Sequence, residues 1–440
     1  GRFQTEMLFV SAVLTDSLTE SSSGVMSGKE PIDGKTVCVT GGSGLVGAQV
    51  VIHLLDRGCT VRAPVRSIAK SGLEPIAAKA DKDKKGRLEL IEADVTVPGS
   101  LDSVVAGCSL VFHVASPVPQ ITEDGGIPDD QDFQQFIQPA TKGVENVWAA
   151  IKKASGSVKK LIFTSSMVTI GDLAAQMAKA RKDGETVDMP VMRLSLPKSK
   201  EGEGSRVLTG DDWMDEKQLE ASPGPPAMKG YAISKIKAER ECWKASEECG
   251  IPMATIHPAC VIGPPPLVNK ITSSLSFIKP LIEGVEFTGF LSFCDVRDVA
   301  DAHIAAAELS SANGKRFIVS TDFDVPPPML YAELQRAFPQ YDYTCPYEFV
   351  DDDPSLSQPL KLFDTSPLSS IGIQLMPWEQ SLKETAAAMI ESKAVTPRPK
   401  GGWAETGGVL PAGQQAGTYW PFSPCSLWWC CTSPDRTVIP

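Results

Sequence analysis

T-G-G-S-G-L-V-G, residues 40–47, stands between a short apolar run (36–40) and an amphipathic stretch (45–56) that Gly58 closes, and few architectures accommodate that arrangement. It reads as strand, Gly-rich turn and helix. Gly41, Gly44 and Gly47 lie at G-x-x-G-x-x-G spacing. Glycine lets the backbone turn sharply and approach a diphosphate, while the helix N terminus turns N–H donors and its positive dipole end toward the same anion. A glycine turn that only packs closely is the alternative, and the strand-turn-helix setting weighs against it.

The alternation continues along the chain. Strands are expected at 60–65, 88–93, 110–115, 160–164 and 253–257, and helices at 101–106, 133–153 and 231–249, the last ended by Gly250 and Pro252. Strand and helix taking turns demand right-handed crossovers. The expected fold class is therefore α/β, a Rossmann-type doubly wound parallel sheet with a smaller C-terminal substrate lobe. Near-continuous apolar strands imply burial on both faces. The expected organisation is a disordered leader over 1–33, a dinucleotide-binding domain over 34–265, a substrate lobe over 266–395 and a disordered tail over 396–440. Within the first domain, 171–228 is long, charged and rich in Gly and Pro. A lid or substrate loop and a plain surface insertion both remain open for it.

At 440 residues the chain has room for a nucleotide-binding domain and a second lobe. Its net charge of −12 and lack of a long basic run argue against a nucleic-acid surface or attraction to anionic membranes. The 11 cysteines show neither C-x-x-C pairs nor zinc-like His spacing, so no metal centre is expected and a reducing, cytoplasmic setting fits. The apolar run 7–14 lacks a positive flank, and no stretch reaches the ~20 apolar residues of a membrane span. Small-molecule chemistry is what remains.

Y-A-I-S-K, residues 231–235, supplies that chemistry. Tyr231 and Lys235 sit one helical turn apart, so the ammonium can depress the phenol's pKa and make it a usable proton donor and acceptor. Exposed Tyr and Lys on a helix face are the bland alternative. The strand ending in L-I-F-T-S-S delivers Ser165 and Ser166 to the carboxyl edge of the sheet, where a hydroxyl can hold a substrate carbonyl beside the phenol. Cofactor choice should be made at the end of the second strand. There the chain reads V-R-A-P-V-R-S, with Arg66 and no carboxylate. A guanidinium can fork onto a 2′-phosphate, favouring NADP(H), whereas Arg62 and Arg66 as mere solvated strand-end charges is the other reading. Asp94 is placed either to accept from an adenine amino group or to cap its own turn. Ala115 and Ser116 either let a dinucleotide pass or simply pack at a strand end.

These residues are where the chain resembles the extended short-chain dehydrogenase/reductase family, and within it the dihydroflavonol reductase and cinnamoyl-CoA reductase group. The resemblance runs from about residue 35 to about 393 and rests on V-C-V-T-G-G-S-G-L-V-G, T-V-R-A-P-V-R, G-C-S-L-V-F-H-V-A-S-P, L-I-F-T-S-S, Y-A-I-S-K and F-C-D-V-R-D-V-A-D-A-H-I. It implies that Ser166, Tyr231 and Lys235 form the catalytic triad and that Arg66 reads the 2′-phosphate. H-P-A-C-V-I-G-P resembles the family's nicotinamide loop and implicates Pro258, Cys260 and Val261, with Lys235 also on the nicotinamide ribose. The cofactor set so implied is Gly41, Gly44, Leu45, Val46, Gly47, Arg66, Lys70, Asp94, Val95, Ala115, Ser116, Tyr231, Lys235, Pro258, Cys260 and Val261. There are departures. M-K-G-Y-A-I-S-K replaces the N-W-Y-C-Y-G-K usual in plant cinnamoyl-CoA reductases, and the segment between Ser166 and Tyr231 is longer. His257 replaces a residue that is often Arg or Leu, and is read as packed and hydrogen-bonded.

The leading expectation is an NADPH-dependent carbonyl reductase acting on a ketone or aldehyde with a mostly apolar, medium-sized scaffold, with cinnamoyl-CoA a poor substrate. A nucleotide-sugar epimerase or dehydratase shares the Gly motif and Tyr-x-x-x-Lys but usually carries an acid where this chain has Val65 and Arg66. A non-catalytic NADP sensor on the same fold usually loses the Tyr or Lys. A homodimer is left open.

Overall fold

Nine short strands and ten helices arise where those patterns fall, in a computed structural model describing residues 28–118, 133–171, 207–221, 226–267, 271, 273–285, 287, 291–345 and 362–400. The strands are β1 (Thr36–Thr40), β2 (Thr60–Val65), β3 (Arg87–Glu92), β4 (Leu110–His113), β5 (Lys160–Thr164), β6 (Met253–Pro258), β7 (Cys260–Ile262), β8 (Phe293–Asp295) and β9 (Arg316–Val319). Seven form one sheet in the order β3-β2-β1-β4-β5-β6-β9, every neighbouring pair parallel; β7 and β8 form a separate parallel pair. The strand order reverses direction between β1 and β4, whose register sets Thr40 opposite His113. In open α/β sheets a crevice opens at such a reversal, outside the carboxyl ends of the strands.

Alternation along each strand divides its side chains between two faces. Val37, Val39, Phe112, Ile162, Ile256 and Phe317 share a core with α1 (Leu45–Asp56) and α8 (Val296–Glu308). Cys38, Val111, Leu161, Phe163 and Met253 pack on the other face with α4 (Gln134–Lys153) and α6 (Pro226–Cys249). Each such buried side chain contributes about 1.5–3 kcal/mol relative to exposure. The short helices α2 (Glu74–Lys82), α3 (Asp102–Val105) and α5 (Glu216–Ala221) complete the sheet's flanks. A further core gathers α7 (Ser273–Ile282), α9 (Pro327–Ala337) and α10 (Trp378–Glu391) through Leu275, Ile278, Leu330, Leu334, Leu382 and Met389.

Strands 36–40, 60–65 and 160–164 and helix 45–56 have their predicted limits. The helix bearing Tyr231 instead begins at Pro226, so Tyr231 lies within it and does not open it. Proline suits a first helical turn, whose N–H groups have no partner within the helix. Gly230, just before Tyr231, is there for contact: a Cβ on it would stand 3.0 Å from the Phe133 Cα and 3.1 Å from the Phe136 ring. The segment 266–395, expected as a separate lobe, also returns α8 and β9 to the main sheet, because β6 needs a hydrogen-bonding neighbour on its open edge.

Order also begins earlier than expected. Ile32 is fully buried in the main core, Lys29 pairs with Glu308, and Asp33 pairs with Arg57 at 2.8 Å, so 28–33 belong to the fold and not to a leader. At the other end, the Arg398 amide donates to the Glu283 carbonyl and Pro399 bridges Tyr341, which removes 396–400 from the expected tail. Residues 1–27, 401–440, and 172–206 and 222–225 of the 171–228 segment lie outside the described residues.

Candidate active site

The expected site residues outside the long helix end a strand, follow its carboxyl end or lie at the start of the element after it. Gly41 follows β1, Arg66 β2, Asp94 β3, Ala115 β4, Ser166 β5 and Cys260 β6, while α6 lays Tyr231 and Lys235 beside the end of β5. The Gly41 backbone has φ +71°, the left-handed region that favours glycine, and a Cβ on it would come within 2.7 Å of the Ala115 nitrogen. A Cβ on Gly47 would be 2.1 Å from the Gly41 carbonyl oxygen, so only glycine lets α1 start this close to the turn. The first turn of α1 has no carboxylate and no side-chain cap on its N–H groups. These features fit a diphosphate at the helix N terminus.

At the end of β2, Arg66 is exposed and makes no hydrogen bond or ion pair among the described residues, while Lys70 is exposed on the turn that follows. Arg62 behaves differently. It is paired with Glu89 at 3.1 Å and donates to the Ala106 carbonyl at 2.6 Å, so of the two arginines only Arg66 is available to a ligand. The Asp94 Oδ1 accepts from both the amide and the hydroxyl of Thr96, at 2.8 and 2.7 Å, which holds its carboxyl below the ordinary range. Its turn-capping reading is thus realised. Val95 gives its carbonyl to the Asn146 amide, and Ser116 donates to the Pro117 carbonyl. Leu45 packs against both the main core and the lobe core, and Val46 against the main core alone. Pro258 ends β6, the half-buried Cys260 thiol is pushed up to about 12 by burial, and Val261 turns its side chain into the main core.

Ser166, Tyr231 and Lys235 come together. Ser166 is extended (φ −159°, ψ 154°), its hydroxyl accepts from the Val168 amide, and it lies close enough to the Tyr231 phenol to lower that group's pKa. Lys235 donates to the Thr164 carbonyl at 2.9 Å and stands 5.8 Å above the Phe163 ring. Burial lowers Lys235 to about 8, with Glu239 drawing it back upward. The phenol departs from expectation: burial raises its pKa, the nearby Ser166 hydroxyl offsets only part of the rise, and the Lys235 charge adds no depression. Ser165 is not a partner of the phenol, since its hydroxyl donates to the buried Glu239 carboxylate at 2.6 Å.

Several supporting residues went unread in the sequence. His113, driven down to about 3 by burial, is a neutral ring whose Nδ1 is 2.7 Å from the Thr40 hydroxyl, and that hydroxyl in turn accepts from the Ala115 amide. Glu239 lies two turns beyond Tyr231 on α6, so its i+4 spacing from Lys235 was a legible signal. Arg316, which binds Glu239 at 2.7 Å from 77 residues away, had none. His257 is packed and hydrogen-bonded, as expected, to Thr255 at 2.7 Å and Thr169 at 3.0 Å.

The chain matches the NAD dependent epimerase/dehydratase family over residues 37–191 and 204–320, the match breaking inside the long segment before Tyr231. It is 32% identical over 366 residues to the cinnamoyl-CoA reductase CAD2 of Medicago truncatula, covering 82% of this chain and 97% of that protein. It is 33% identical over 340 residues to a (2S)-flavan-3-ol-forming anthocyanidin reductase of Vitis vinifera, covering 75% and 88%. Among solved structures it is similar to yeast methylglyoxal/isovaleraldehyde reductase Gre2 complexed with NADPH, with a TM-score of 0.64, 21% identity, and 82% of this chain and 100% of that chain covered. With the fold, the glycine turn and the Ser166, Tyr231, Lys235 cluster in place, the chain belongs to the NAD dependent epimerase/dehydratase family of extended short-chain dehydrogenase/reductases, among relatives that are reductases.

Proposed function

We propose that this protein is an NADPH-dependent reductase that converts a ketone or aldehyde to an alcohol. The observation that carries this reading is the gathering of the Ser166 hydroxyl, the Tyr231 phenol and a buried Lys235 at the carboxyl edge of the sheet that also bears the glycine turn. Gly41, Gly44 and Gly47 with the first turn of α1 would hold the diphosphate, and Arg66 the 2′-phosphate, in keeping with the absence of a carboxylate at Val65 and Arg66. The same absence disfavours the epimerase or dehydratase reading. When bound, NADPH supplies the hydride to the carbonyl carbon.

The chain's own residues manage the oxygen. A phenol raised above its ordinary pKa keeps its proton at neutral pH and is ready to give it to the oxygen that becomes the alcohol. The Ser166 hydroxyl, already against the phenol, holds that oxygen by a second hydrogen bond as negative charge develops. Lys235, charged below about pH 8, would favour the phenolate left after proton transfer and would serve the nicotinamide ribose. Hydride and proton together reduce one C=O to one CH–OH.

Because identity to a cinnamoyl-CoA reductase and to an anthocyanidin reductase is nearly equal, substrate choice is argued from the chain itself: a mostly apolar, medium-sized carbonyl compound, with cinnamoyl-CoA poor. The test is NADPH consumption with dihydroflavonols, aromatic aldehydes, sterol ketones and cinnamoyl thioesters, repeated with Tyr231→Phe. The variant should bind NADPH and lose most turnover. Wild-type turnover in it would overturn the mechanism, and a higher kcat/KM for a cinnamoyl thioester than for free aldehydes and ketones would overturn the substrate choice.

A further inference from the structure

Behind Ser166 lies a buried polar network that the proposed reaction does not itself use. Glu239 and Arg316 are 0% and 6% exposed in their side chains and pair at 2.7 Å. Around Glu239 stand Ser165 at 2.6 Å and Trp243 at 3.2 Å, both donating to it. The outer nitrogens of the Arg316 fork reach further partners, one of them while also donating to Glu239 at 3.4 Å. One arm donates to the Thr169 hydroxyl at 3.0 Å, and the other to the carbonyls of Asp212, at 3.0 Å, and Gly210. Its plane lies 3.8 Å from the Trp213 ring, a stacked cation.

Both neighbours of that fork are fixed to Ser166 or to the chain just after it. The Thr169 hydroxyl donates to the Ser166 carbonyl at 2.9 Å, and the same carbonyl lies 3.2 Å from His257 Nδ1. The same ring ties Ser166 to the rest of the network, with Nδ1 also 3.0 Å from the Thr169 hydroxyl and Nε2 2.7 Å from the Thr255 hydroxyl and 3.3 Å from the Glu239 carboxylate. Segment 207–214 is bound as tightly, with the Met214 amide on the Thr169 carbonyl at 3.0 Å and the Gly171 amide on the Asp212 carbonyl at 3.3 Å. A Cβ on Gly171 would lie 2.0 Å from the Trp213 oxygen, and one on Gly210 2.4 Å from the Arg316 oxygen, so these backbones touch.

We propose that Arg316 is a positioning residue for the Ser166 and Tyr231 pair: fixed by Glu239, its guanidinium clamps the Ser166 turn and segment 207–214 into one rigid unit. The catalytic part of this inference rests on the carbonyl-reductase reading above. The clamp acts on Ser166 from both sides, through Ser165 on Glu239 and through Thr169 on Arg316, so the hydroxyl direction is set by groups that never meet substrate. A planar, five-donor fork is required for this task. Lysine keeps the charge but cannot bridge the carboxylate, the Thr169 hydroxyl and two carbonyls at once.

The test is Arg316→Lys, alone and combined with Ser166→Ala. We expect kcat to fall by about 100-fold, as for a small misplacement of a reacting group, with the NADPH Kd within about 3-fold of wild type. In the Ser166→Ala background the same substitution should cost less than about 3-fold more, because its effect passes through the missing hydroxyl. Losses that simply multiply, or an unchanged kcat, would overturn the proposal. Amide hydrogen exchange supplies an arm independent of turnover, with the Val168 and Met214 amides expected to exchange at least about 10-fold faster in Arg316→Lys. If wild type reduced no member of the carbonyl panel, the function reading and the catalytic half of this inference would fall together. Unchanged exchange would overturn the clamp itself. Should Arg316→Lys not fold, Thr169→Val, which removes the link from Arg316 to the Ser166 carbonyl, goes through the same cycle with the same criteria.

Discussion

Gly47→Ala probes whether the glycine turn is built for a ligand or only for packing. The added Cβ would lie 2.1 Å from the Gly41 oxygen and 2.6 Å from its carbonyl carbon. Since carbon and oxygen settle no closer than about 3.3 Å, the turn and helix must separate by roughly 1 Å. Gly41 cannot simply retreat, because its own Cβ position is already 2.7 Å from the Ala115 nitrogen across the crevice between β1 and β4. Overpacking of this kind costs about 1–3 kcal/mol, and removing a helical glycine returns roughly 0.5–1. The net is about 1–2 kcal/mol, or a Tm lower by roughly 2–8 °C. The effect on ligand should be larger than the effect on stability. Moving the first-turn N–H groups away from a bound phosphate forfeits at least one charge-assisted hydrogen bond, so NADPH should bind about 10- to 100-fold more weakly. Gly44→Ala is the control for stability alone, since its Cβ would meet only the Gly41 oxygen, at 3.3 Å, and φ is −92°. Thermal unfolding and a fluorescence titration with NADPH measure both quantities. Unaltered NADPH affinity in Gly47→Ala, or an equal fall in Tm from Gly44→Ala, would refute the reasoning.

Arg66→Glu should raise the KM for NADPH by roughly 10- to 100-fold and that for NADH by less than about 3-fold, because it replaces a fork for the 2′-phosphate with a like charge. Equal losses with the two cofactors would remove Arg66 from phosphate recognition. Turnover should decline as pH rises through about 8, where Lys235 sheds its proton, and Lys235→Arg should carry that limb upward; an unmoved limb would assign it to another group. The stability sign is opposite. Unfolded lysine keeps its proton to about 10.5, so between about 8 and 10.5 the unfolded chain binds more protons and the Lys235 contribution to folding improves as pH rises. Ile32→Ala should cost about 2–4 kcal/mol in chemical denaturation, as for other fully buried truncations, and a change under about 0.5 kcal/mol would place 28–33 outside the cooperative unit.

The strand limits at 36–40, 60–65 and 160–164 and the helix at 45–56 were legible because their determinants are local: apolar runs, a 3.6-residue period, and glycine after the first strand and the helix. The Tyr231 and Lys235 pair was legible for the same reason, one helical turn being a spacing within a single element. Local reasoning failed where the cause was a distant surface. The helix reads as starting at Tyr231 until Phe133 and Phe136 are seen pressed against Gly230 within it, and Ile32 reads as part of a loose leader until it is found buried in the main core with its amide on Glu308. The phenol's upward shift belongs here too, since burial is a property of everything that surrounds a group and spacing along a helix reports only one neighbour.

By itself, then, the order of residues determined a parallel α/β sheet with a phosphate-binding turn and a tyrosine and lysine on one helix, since each follows from chain geometry over a few residues. Only the tertiary structure decided that Ser166 and not Ser165 faces the phenol, that Arg66 and not Arg62 is open at the end of β2, and that Arg316 meets Glu239. Those choices turn on which way a side chain points and on partners up to 77 residues apart, and contacts closed over such loops leave no period or spacing in the chain for a reader to find.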